Sequence, residues 1–174
     1  LGNIGKEDFS EEAYFDVIRK KTAALFKASS QSGAVSVGAV QEEVMKAGLL
    51  GEMIGIAFQI KDDIFDYFES PELGKPTGND MLEGKLTLPA LYVLNQTGDD
   101  SLKQTALKIR SLEASKEEIA AFVETVKEKG GIEYATRMMY EFRDKALALV
   151  PASADSSLKE ALTAYIDYVI ERNK

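Results

Sequence analysis

Asp62, Asp63 and Asp66 lie within five residues, near the end of an apolar segment that ends at Tyr67. Asp62 and Asp66 are four residues apart, so in a helix they share one face. Asp63 and Gln59 would lie close beside that face. Like charges at this spacing repel one another and Asp is a poor helix former, so local stability does not explain the cluster. The alternatives are a bound cation and a solvated acidic helix end.

The composition restricts which cation this could be. The chain of 174 residues has no His and no Cys, which excludes protein-ligated zinc, soft metals and haem, and a Cys or His nucleophile. A hard, oxygen-bound ion remains. We predict Mg²⁺ rather than a calcium loop, because the carboxylates follow helical spacing instead of an EF-hand pattern. Mg²⁺ shares its shell with water and phosphate, so a phosphate-bearing substrate is the hypothesis.

A turn-rich stretch follows the aspartates and carries further charged residues. Lys75 and Lys85 lie among several Pro and Gly residues, which predict a flexible loop. Lysines close to an aspartate-held metal suit a diphosphate group, so we interpret the loop as a lid. Asp80 in the same stretch could orient a metal ligand by contacting that ligand and not the metal itself. Alternatively, it could be an ordinary turn aspartate.

Several motifs together resemble one known family. Phe58–Asp66, followed by Gly74–Asp80 and Gly84–Pro89, resembles the second aspartate-rich motif and its trailing loop in trans-type polyprenyl diphosphate synthases. Upstream, Tyr14–Phe26 resembles the lysine–threonine motif of the same family. The resemblance covers essentially the whole chain and is strongest up to Leu94. It implies that the chain is the C-terminal part of a longer polyprenyl synthetase domain.

The resemblance also implies roles for individual residues. The implied ligands of Mg²⁺ are Asp62, Asp63 and Asp66. The implied cations that neutralise the substrate diphosphate are Lys21, Lys75 and Lys85. The implied catalytic residues are Lys21, Thr22 and Gln59. In this scheme, the uncharged oxygens of the last two face the allylic cation, and Asp80 supports the metal site from the second layer.

Lys21 also stands out in the helical pattern. Its neighbours Tyr14, Ile18 and Leu25 are spaced by helical intervals, and Lys21 falls within this predicted buried stripe. The ordinary explanation is a partly buried lysine whose stem lies on apolar surface while its charge reaches water. That explanation suits Lys20, off the stripe, better than Lys21.

The activity that the resemblance implies is head-to-tail condensation of isopentenyl diphosphate with an allylic diphosphate. The product is predicted to be a medium- to long-chain, octaprenyl-like polyprenyl diphosphate, because Thr87-Leu-Pro89 stands where farnesyl synthases often have Thr-Tyr-Pro. The alternatives are a short-chain farnesyl or geranylgeranyl synthase, a related terpene cyclase, and a non-catalytic subunit or regulatory module. The lysine-bearing loop favours chain elongation over cyclisation.

Composition and the chain's start add further expectations. A net charge of −8 disfavours nucleic acid and anionic membranes as partners, and no apolar run is long enough for a membrane span. The absence of Cys is compatible with a reducing cytosol, so the expected location is cytoplasmic. The resemblance implies a homodimer and a first aspartate-rich motif upstream of Leu1. The chain alone is therefore expected to be inactive.

The periodicity predicts an all-α protein, taken as one domain portion over residues 1–174. The resemblance adds that the helices form an isoprenoid-synthase-type bundle around a central cavity. Small residues interrupt the longest predicted helix at Gly48, Gly51 and Gly55, which predicts close approach of another helix. Asp8 with Glu11 and Ser115 with Glu118 predict capping boxes, Ser101 is predicted to cap a helix, and Thr87 with Pro89 is predicted to open one. The approximate bounds of the predicted helices are Asp8–Ser10 to Ala28, Val40 to Tyr67, Thr87 to Leu94, Ser101 to Leu112, Ser115 to Gly130, Ile132 to Val150, and Leu158 to Val169.

Overall fold

A computed structural model describes residues 9–68, 77–152 and 154–171. Within these ranges the regular structure is entirely helical, so the all-α prediction is confirmed. Contacts divide the chain into two compact units. The first falls within Leu1–Tyr14 and Asp62–Thr136, and the second within Phe15–Lys61 and Arg137–Asn173. None of the described helices is both long enough and apolar enough to cross a membrane.

The described helices occur in the following order along the chain. The first half of the described chain contains α1 (Glu11–Ile18), a π-helical segment (Arg19–Ala23), α2 (Ala24–Ser36), α3 (Gln41–Phe65) and α4 (Asn79–Leu82). The second half contains α5 (Leu88–Thr97), α6 (Asp100–Arg110), α7 (Lys116–Glu128), α8 (Gly131–Ala148) and α9 (Ser156–Glu171).

The first helix begins at Glu11, next to the predicted start between Asp8 and Ser10, and the predicted capping acceptor Asp8 lies outside the described residues. The Ser10 hydroxyl accepts the backbone N–H of Ala13 at 3.2 Å, as an N-cap does. The predicted end near Ala28 is wrong, since helical structure continues through the π segment and α2 to Ser36. Gly33 lies inside α2 with ordinary helical geometry, so this glycine does not terminate the helix.

In the second unit, α2 and α3 approach closely because glycines replace side chains where they meet. A Cβ on Gly55 would lie 2.6 Å from the Ala23 Cα, and one on Gly51 would lie 2.5 Å from the Phe26 carbonyl oxygen. Real Cβ atoms do not approach backbone atoms this closely. The predicted role of the α3 glycines in close helix packing is therefore confirmed.

An apolar cluster lies in the first unit. Tyr67 and Met81 join buried side chains of α5, α6 and α7, among them Leu94, Ile109 and Phe122. Thr87 is the N-cap of α5 and a proline lies in its first turn, as predicted. Because Tyr67 directly follows α3 and Met81 belongs to α4, both segments are packed against this cluster.

Two helix starts show what local sequence can and cannot decide. Ser115 and Glu118 form the predicted capping box of α7, with both reciprocal hydrogen bonds present. Ser101 was predicted to cap α6, and this is wrong. Asp99 is the N-cap, and its carboxylate accepts the backbone N–H groups of Ser101 and Leu102. A charged acceptor makes the stronger cap, and it adds a favourable interaction with the helix dipole.

The glycine contacts predict opposite effects of two similar substitutions. Gly55→Ala should destabilise the protein by about 1–2 kcal/mol net, because overpacking costs about 1–3 kcal/mol and the better helix propensity of Ala recovers at most about 1 kcal/mol. Gly33→Ala should be neutral or stabilising, since a Cβ there meets nothing within 4 Å. Urea unfolding of both variants measures the difference, and equal effects would contradict the close approach.

Candidate active site

Asp63 lies in the last turn of α3 and is buried. Only 3% of this residue is exposed, and its Oδ2 accepts a hydrogen bond from the Tyr14 hydroxyl at 2.6 Å. Burial, then the neighbouring Asp63 charge, raises the pKa of Tyr14 well above its usual value, so Tyr14 remains a donor at neutral pH. The structure therefore directs this carboxylate toward a protein partner inside the first unit.

Tyr67 is a second buried tyrosine close to these carboxylates. Burial raises the pKa of Tyr67 well above its usual value, the Thr87 hydroxyl opposes this, and the charges of Asp63 and Asp66 add to it. The Tyr67 hydroxyl makes no hydrogen bond of good geometry within the described residues. Two neutral phenols thus lie near the acidic end of α3, and neither was predicted to have this role.

Asp66 lies one residue beyond the end of α3 and contacts the backbone at the start of α4. Its Oδ1 accepts the N–H of Asn79 at 3.1 Å, and its Oδ2 accepts the N–H of Asp80 at 3.0 Å. Its own carbonyl oxygen accepts the N–H of Gly78 at 2.8 Å. The helix was predicted to continue to Tyr67. It ends at Phe65, and Asp66 begins the turn that makes these bonds.

Lys85 follows α4 and contacts Asp80 in the first turn of that helix. The Lys85 Nζ lies 3.7 Å from Asp80 Oδ1 and also pairs with the Glu83 carboxylate. The hydrogen bond with Glu83 raises the pKa of Lys85 most, and the Asp80 charge adds to this effect, so Lys85 is a cation at neutral pH. Asp80 was predicted to support the metal site or to be an ordinary turn aspartate. Here its carboxylate contacts Lys85, and its support of the metal site stays a prediction. Lys75, the other predicted loop lysine, lies outside the described residues.

Lys21 and Thr22 lie in the π-helical segment, and this changes which face they occupy. A π-turn inserts an extra residue, so the buried positions run from Ile18 to Ala23, a step of five. The prediction that Lys21 shares the buried stripe is wrong, because Lys21 and Leu25 are both exposed. Within the described part of the chain, Lys21 makes no ion pair.

Thr22 is half-buried and bonds to α3 within the second unit. Its hydroxyl donates to the amide oxygen of Gln59 at 2.6 Å, joining two residues that lie 37 positions apart in sequence. The structure thus brings together two of the predicted catalytic residues. The hydrogen bond orients both side chains, because the Thr22 proton is used by Gln59 and the lone pairs of the Thr22 oxygen point elsewhere.

The predicted metal ligands do not form a preassembled cage. In residues 9–68, 77–152 and 154–171, no group of three or more acidic side chains converges closely enough to hold a metal ion. This arrangement still suits Mg²⁺, which is usually held by one or two protein carboxylates and completes its shell with water and phosphate. Asp62 is half-buried beside the buried Asp63 and supplies the hard oxygen ligand that such an ion prefers.

The interactions that sequence reasoning missed join residues distant in sequence. Tyr14 was predicted only as an apolar position, yet it is the hydrogen-bond partner of Asp63 from 49 residues away. The one signal available was a tyrosine rather than a leucine or isoleucine at a buried helical position. A buried phenol requires a polar partner, and a buried carboxylate elsewhere in the chain is a suitable one.

Comparisons with known proteins define the class and the family. With a geranylgeranyl pyrophosphate synthase from Bacteroides thetaiotaomicron, the chain shares 57% identity and a TM-score of 0.90, over 95% of this chain and 55% of that one. The chain therefore has the all-α isoprenoid synthase fold. Residues 2–126 match the family described as polyprenyl synthetase, and the chain belongs to that family.

Two further relatives extend the comparison. A short chain isoprenyl diphosphate synthase from Methanothermobacter thermautotrophicus is 34% identical, over 99% of this chain and 53% of its own. A polyprenyl synthase from Caulobacter crescentus, crystallised with calcium and isoprenyl diphosphate, is 30% identical with a TM-score of 0.84, over 98% of this chain and 53% of its own. The chain thus spans about half the length of these relatives.

The names of the curated relatives differ in product length and in assembly. They range from short-chain to octaprenyl and nonaprenyl diphosphate synthases, and one is named component 2 of a heptaprenyl diphosphate synthase. The family membership therefore indicates prenyl chain elongation as the common activity of the relatives, and it leaves the product length of this chain open.

The Tyr14–Asp63 bond predicts a stability effect that can be measured directly. Tyr14→Phe should destabilise the protein by about 1–3 kcal/mol, because the substitution removes a hydrogen-bond donor from a buried carboxylate. Tyr168→Phe is the matched control, since Tyr168 is 72% exposed. Urea unfolding of both variants tests the assignment. A loss no larger in Tyr14→Phe than in Tyr168→Phe would show that the bond contributes nothing.

Proposed function

We propose that the protein containing this chain is a trans-prenyltransferase that condenses isopentenyl diphosphate with an allylic diphosphate. The observation that carries the proposal lies in the first unit, where Asp66 at the acidic end of α3 is hydrogen-bonded to the start of α4, and Lys85 follows α4 and contacts Asp80. The acidic end of α3, which would attract a divalent cation, is thus joined by hydrogen bonds to a segment that carries a lysine for phosphate oxygens. Membership of the polyprenyl synthetase family supports the same reaction class.

The cofactor we propose is Mg²⁺, with Asp62 as its direct protein ligand. Asp63 and Asp66 add negative charge beside it while their oxygens contact Tyr14 and the backbone of α4. When bound, the ion would neutralise charge on the departing diphosphate. Calcium in the complex named for the Caulobacter relative supports a divalent-metal site. The assignment of Asp63 and Asp66 as direct ligands stays a prediction.

The lysines serve the diphosphate in different ways. Lys21 is exposed and unpaired within the described residues, so its ammonium can meet an incoming anion without breaking an ion pair. Lys85 pairs with Glu83 and Asp80, so a diphosphate would replace carboxylates as its partner. Diphosphate carries a larger charge than either carboxylate, which favours that exchange. Lys75 remains a predicted third cation.

Thr22 and Gln59 are the proposed neutral dipoles. A developing allylic cation needs negative ends of dipoles rather than full negative charges, because an anionic side chain would be a competing nucleophile. The hydrogen bond between Thr22 and Gln59 fixes the direction of both dipoles before substrate arrives, which is the preorganisation that electrostatic catalysis requires.

Assembly and location are proposals at the same level. A homodimer and a cytoplasmic location follow from the resemblance and the composition, and the inactivity of the isolated 174-residue chain is a prediction of the same kind. The alternative of a non-catalytic subunit has support from the relative named component 2 of a heptaprenyl diphosphate synthase. Turnover by the complete protein without any added subunit would decide against that alternative.

The product length has two candidate outcomes. Thr87-Leu-Pro89 led to the prediction of a medium- to long-chain, octaprenyl-like product. The 57% identity with a structure named geranylgeranyl pyrophosphate synthase favours the short-chain alternative. Incubating the complete enzyme with farnesyl and isopentenyl diphosphates and separating the products by mass distinguishes them. Accumulation of geranylgeranyl diphosphate as the endpoint would reject the long-chain prediction.

The metal assignment predicts a large effect of a small substitution. Asp62→Asn keeps the size of the side chain and removes its charge, so the catalytic rate of the complete enzyme should fall by roughly two orders of magnitude or more, as expected when several kcal/mol of metal stabilisation are lost. The half-saturating Mg²⁺ concentration should rise with it. Steady-state kinetics at varied Mg²⁺ measure both quantities.

Asp100→Asn is the control for charge removal alone, because Asp100 is exposed in the first turn of α6. Asp155, an exposed aspartate directly before α9, is a less suitable control. Its Oδ1 accepts the Leu158 N–H at 2.8 Å and caps α9, so its removal affects stability as well as charge. Equal and small effects of Asp62→Asn and Asp100→Asn on rate would rule out Asp62 as a metal ligand.

A further inference from the structure

We propose that Asp66 is a positioning residue, which fastens the segment Gly78–Lys85 to the end of α3, and that it does not coordinate the metal. This inference rests on the proposed function and deepens it, because it separates two roles among the three neighbouring aspartates. Asp62 serves the cation, whereas Asp66 serves the polypeptide that carries Lys85. The contacts that assign this role to Asp66 all lie inside the first unit.

The first step is the geometry of the Asp66 carboxylate. Both of its oxygens accept backbone N–H groups, from Asn79 at 3.1 Å and from Asp80 at 3.0 Å. A side-chain oxygen that accepts N–H groups in the first turn of a helix is the bonding pattern of an N-cap residue. Here the capping side chain comes from 13 and 14 residues earlier in the chain.

The second step is the residue that occupies the N-cap position itself. Gly78 is the N-cap of α4 and has no side chain to accept the first N–H groups. Its φ of +78° is left-handed, and a Cβ would lie 2.8 Å from the Ile119 Cγ2, so the position suits glycine. Asp66, which lies outside α4, therefore supplies the capping acceptor that Gly78 lacks. It also accepts the Gly78 N–H at its carbonyl oxygen, at 2.8 Å.

The third step connects α4 to the lysine. The Lys85 N–H donates to the Asp80 carbonyl oxygen at 2.8 Å, and its Nζ lies 3.7 Å from Asp80 Oδ1. Met81, between them, is 2% exposed and belongs to the apolar cluster. A continuous chain of bonds thus runs from the Asp66 carboxylate through Asp80 to the Lys85 backbone. Loss of the first bonds should loosen the lysine.

The Asp66 carboxylate therefore has hydrogen-bond partners within the protein that do not depend on a metal ion. Hydrogen bonds to an ionised carboxylate are about twice as strong as neutral ones, so two of them compensate its charge substantially. Both carboxylate oxygens accept N–H groups of α4, and no three acidic side chains among the described residues converge on one point. Asp66 contributes to diphosphate binding through Lys85, and its negative charge attracts the cation only at longer range.

The test compares Asp66→Ala and Asp66→Asn with Asp62→Asn and Asp100→Asn in the complete enzyme. Amide hydrogen exchange in the peptide that contains Asn79 and Asp80 should accelerate by about tenfold or more in Asp66→Ala, as expected for losing hydrogen bonds to a charged group. Asp66→Asn keeps one acceptor oxygen and should give a smaller acceleration. Asp62→Asn and Asp100→Asn should leave this exchange unchanged.

Kinetics supply the second readout. Asp66→Ala should raise the KM for the diphosphate substrates by about tenfold, while the half-saturating Mg²⁺ concentration stays within about twofold of the wild-type value. Asp62→Asn should show the reverse pattern, with the Mg²⁺ requirement changed most. A shift in the Mg²⁺ requirement as large in Asp66→Ala as in Asp62→Asn would overturn the inference, and so would unchanged exchange at Asn79 and Asp80.

The two readouts keep this inference separate from the proposed function. If the wild-type enzyme forms no prenyl product, the proposed function fails, and the exchange comparison still decides whether Asp66 holds the start of α4. If Asp66→Ala does not fold, Asp66→Asn carries both measurements, because it loses the charge and retains one acceptor. Unchanged exchange and an altered Mg²⁺ requirement in Asp66→Asn would then contradict the inference.

Discussion

Repulsion among three neighbouring carboxylates is the constraint on which the candidate site depends. Asp62, Asp63 and Asp66 lie at the C-terminal end of α3, where the negative pole of the helix dipole adds to their mutual repulsion. A buried phenol donates a hydrogen bond to Asp63, and two backbone N–H groups donate to Asp66. The negative potential of three carboxylates at this end of α3 favours a divalent cation.

The same arrangement links stability to function. The Tyr14–Asp63 bond holds a buried charge in the first unit, and the Asp66 bonds hold the start of α4. Each interaction stabilises the fold and also fixes the position of a group that the proposed reaction needs. The π-helical segment has a comparable double effect, because it rotates Lys21 out of the buried face while Ala23 packs against Gly55. Local irregularity therefore occurs where chemistry is proposed.

Much of this could be predicted from sequence, because the signals are local. Apolar periodicity identified α3 and the C-terminal helices, the Ser115 capping box was correct, and the glycines of α3 correctly indicated close packing. The π segment was missed because a period of 3.6 residues contains no sign of an inserted residue, and the buried position of Lys21 was wrong for that reason. The role of Tyr14 was missed because its partner lies 49 residues away and no periodicity connects the two.

The central claim is that the acidic end of α3 binds a diphosphate through a divalent cation, and direct binding tests it without requiring catalysis. Isothermal titration calorimetry of the wild-type complete protein with inorganic pyrophosphate should give saturable binding in the presence of Mg²⁺. With EDTA in place of Mg²⁺, affinity should fall by about a hundredfold or more, since several kcal/mol of metal-mediated attraction are lost. Equal affinity under both conditions would contradict the account.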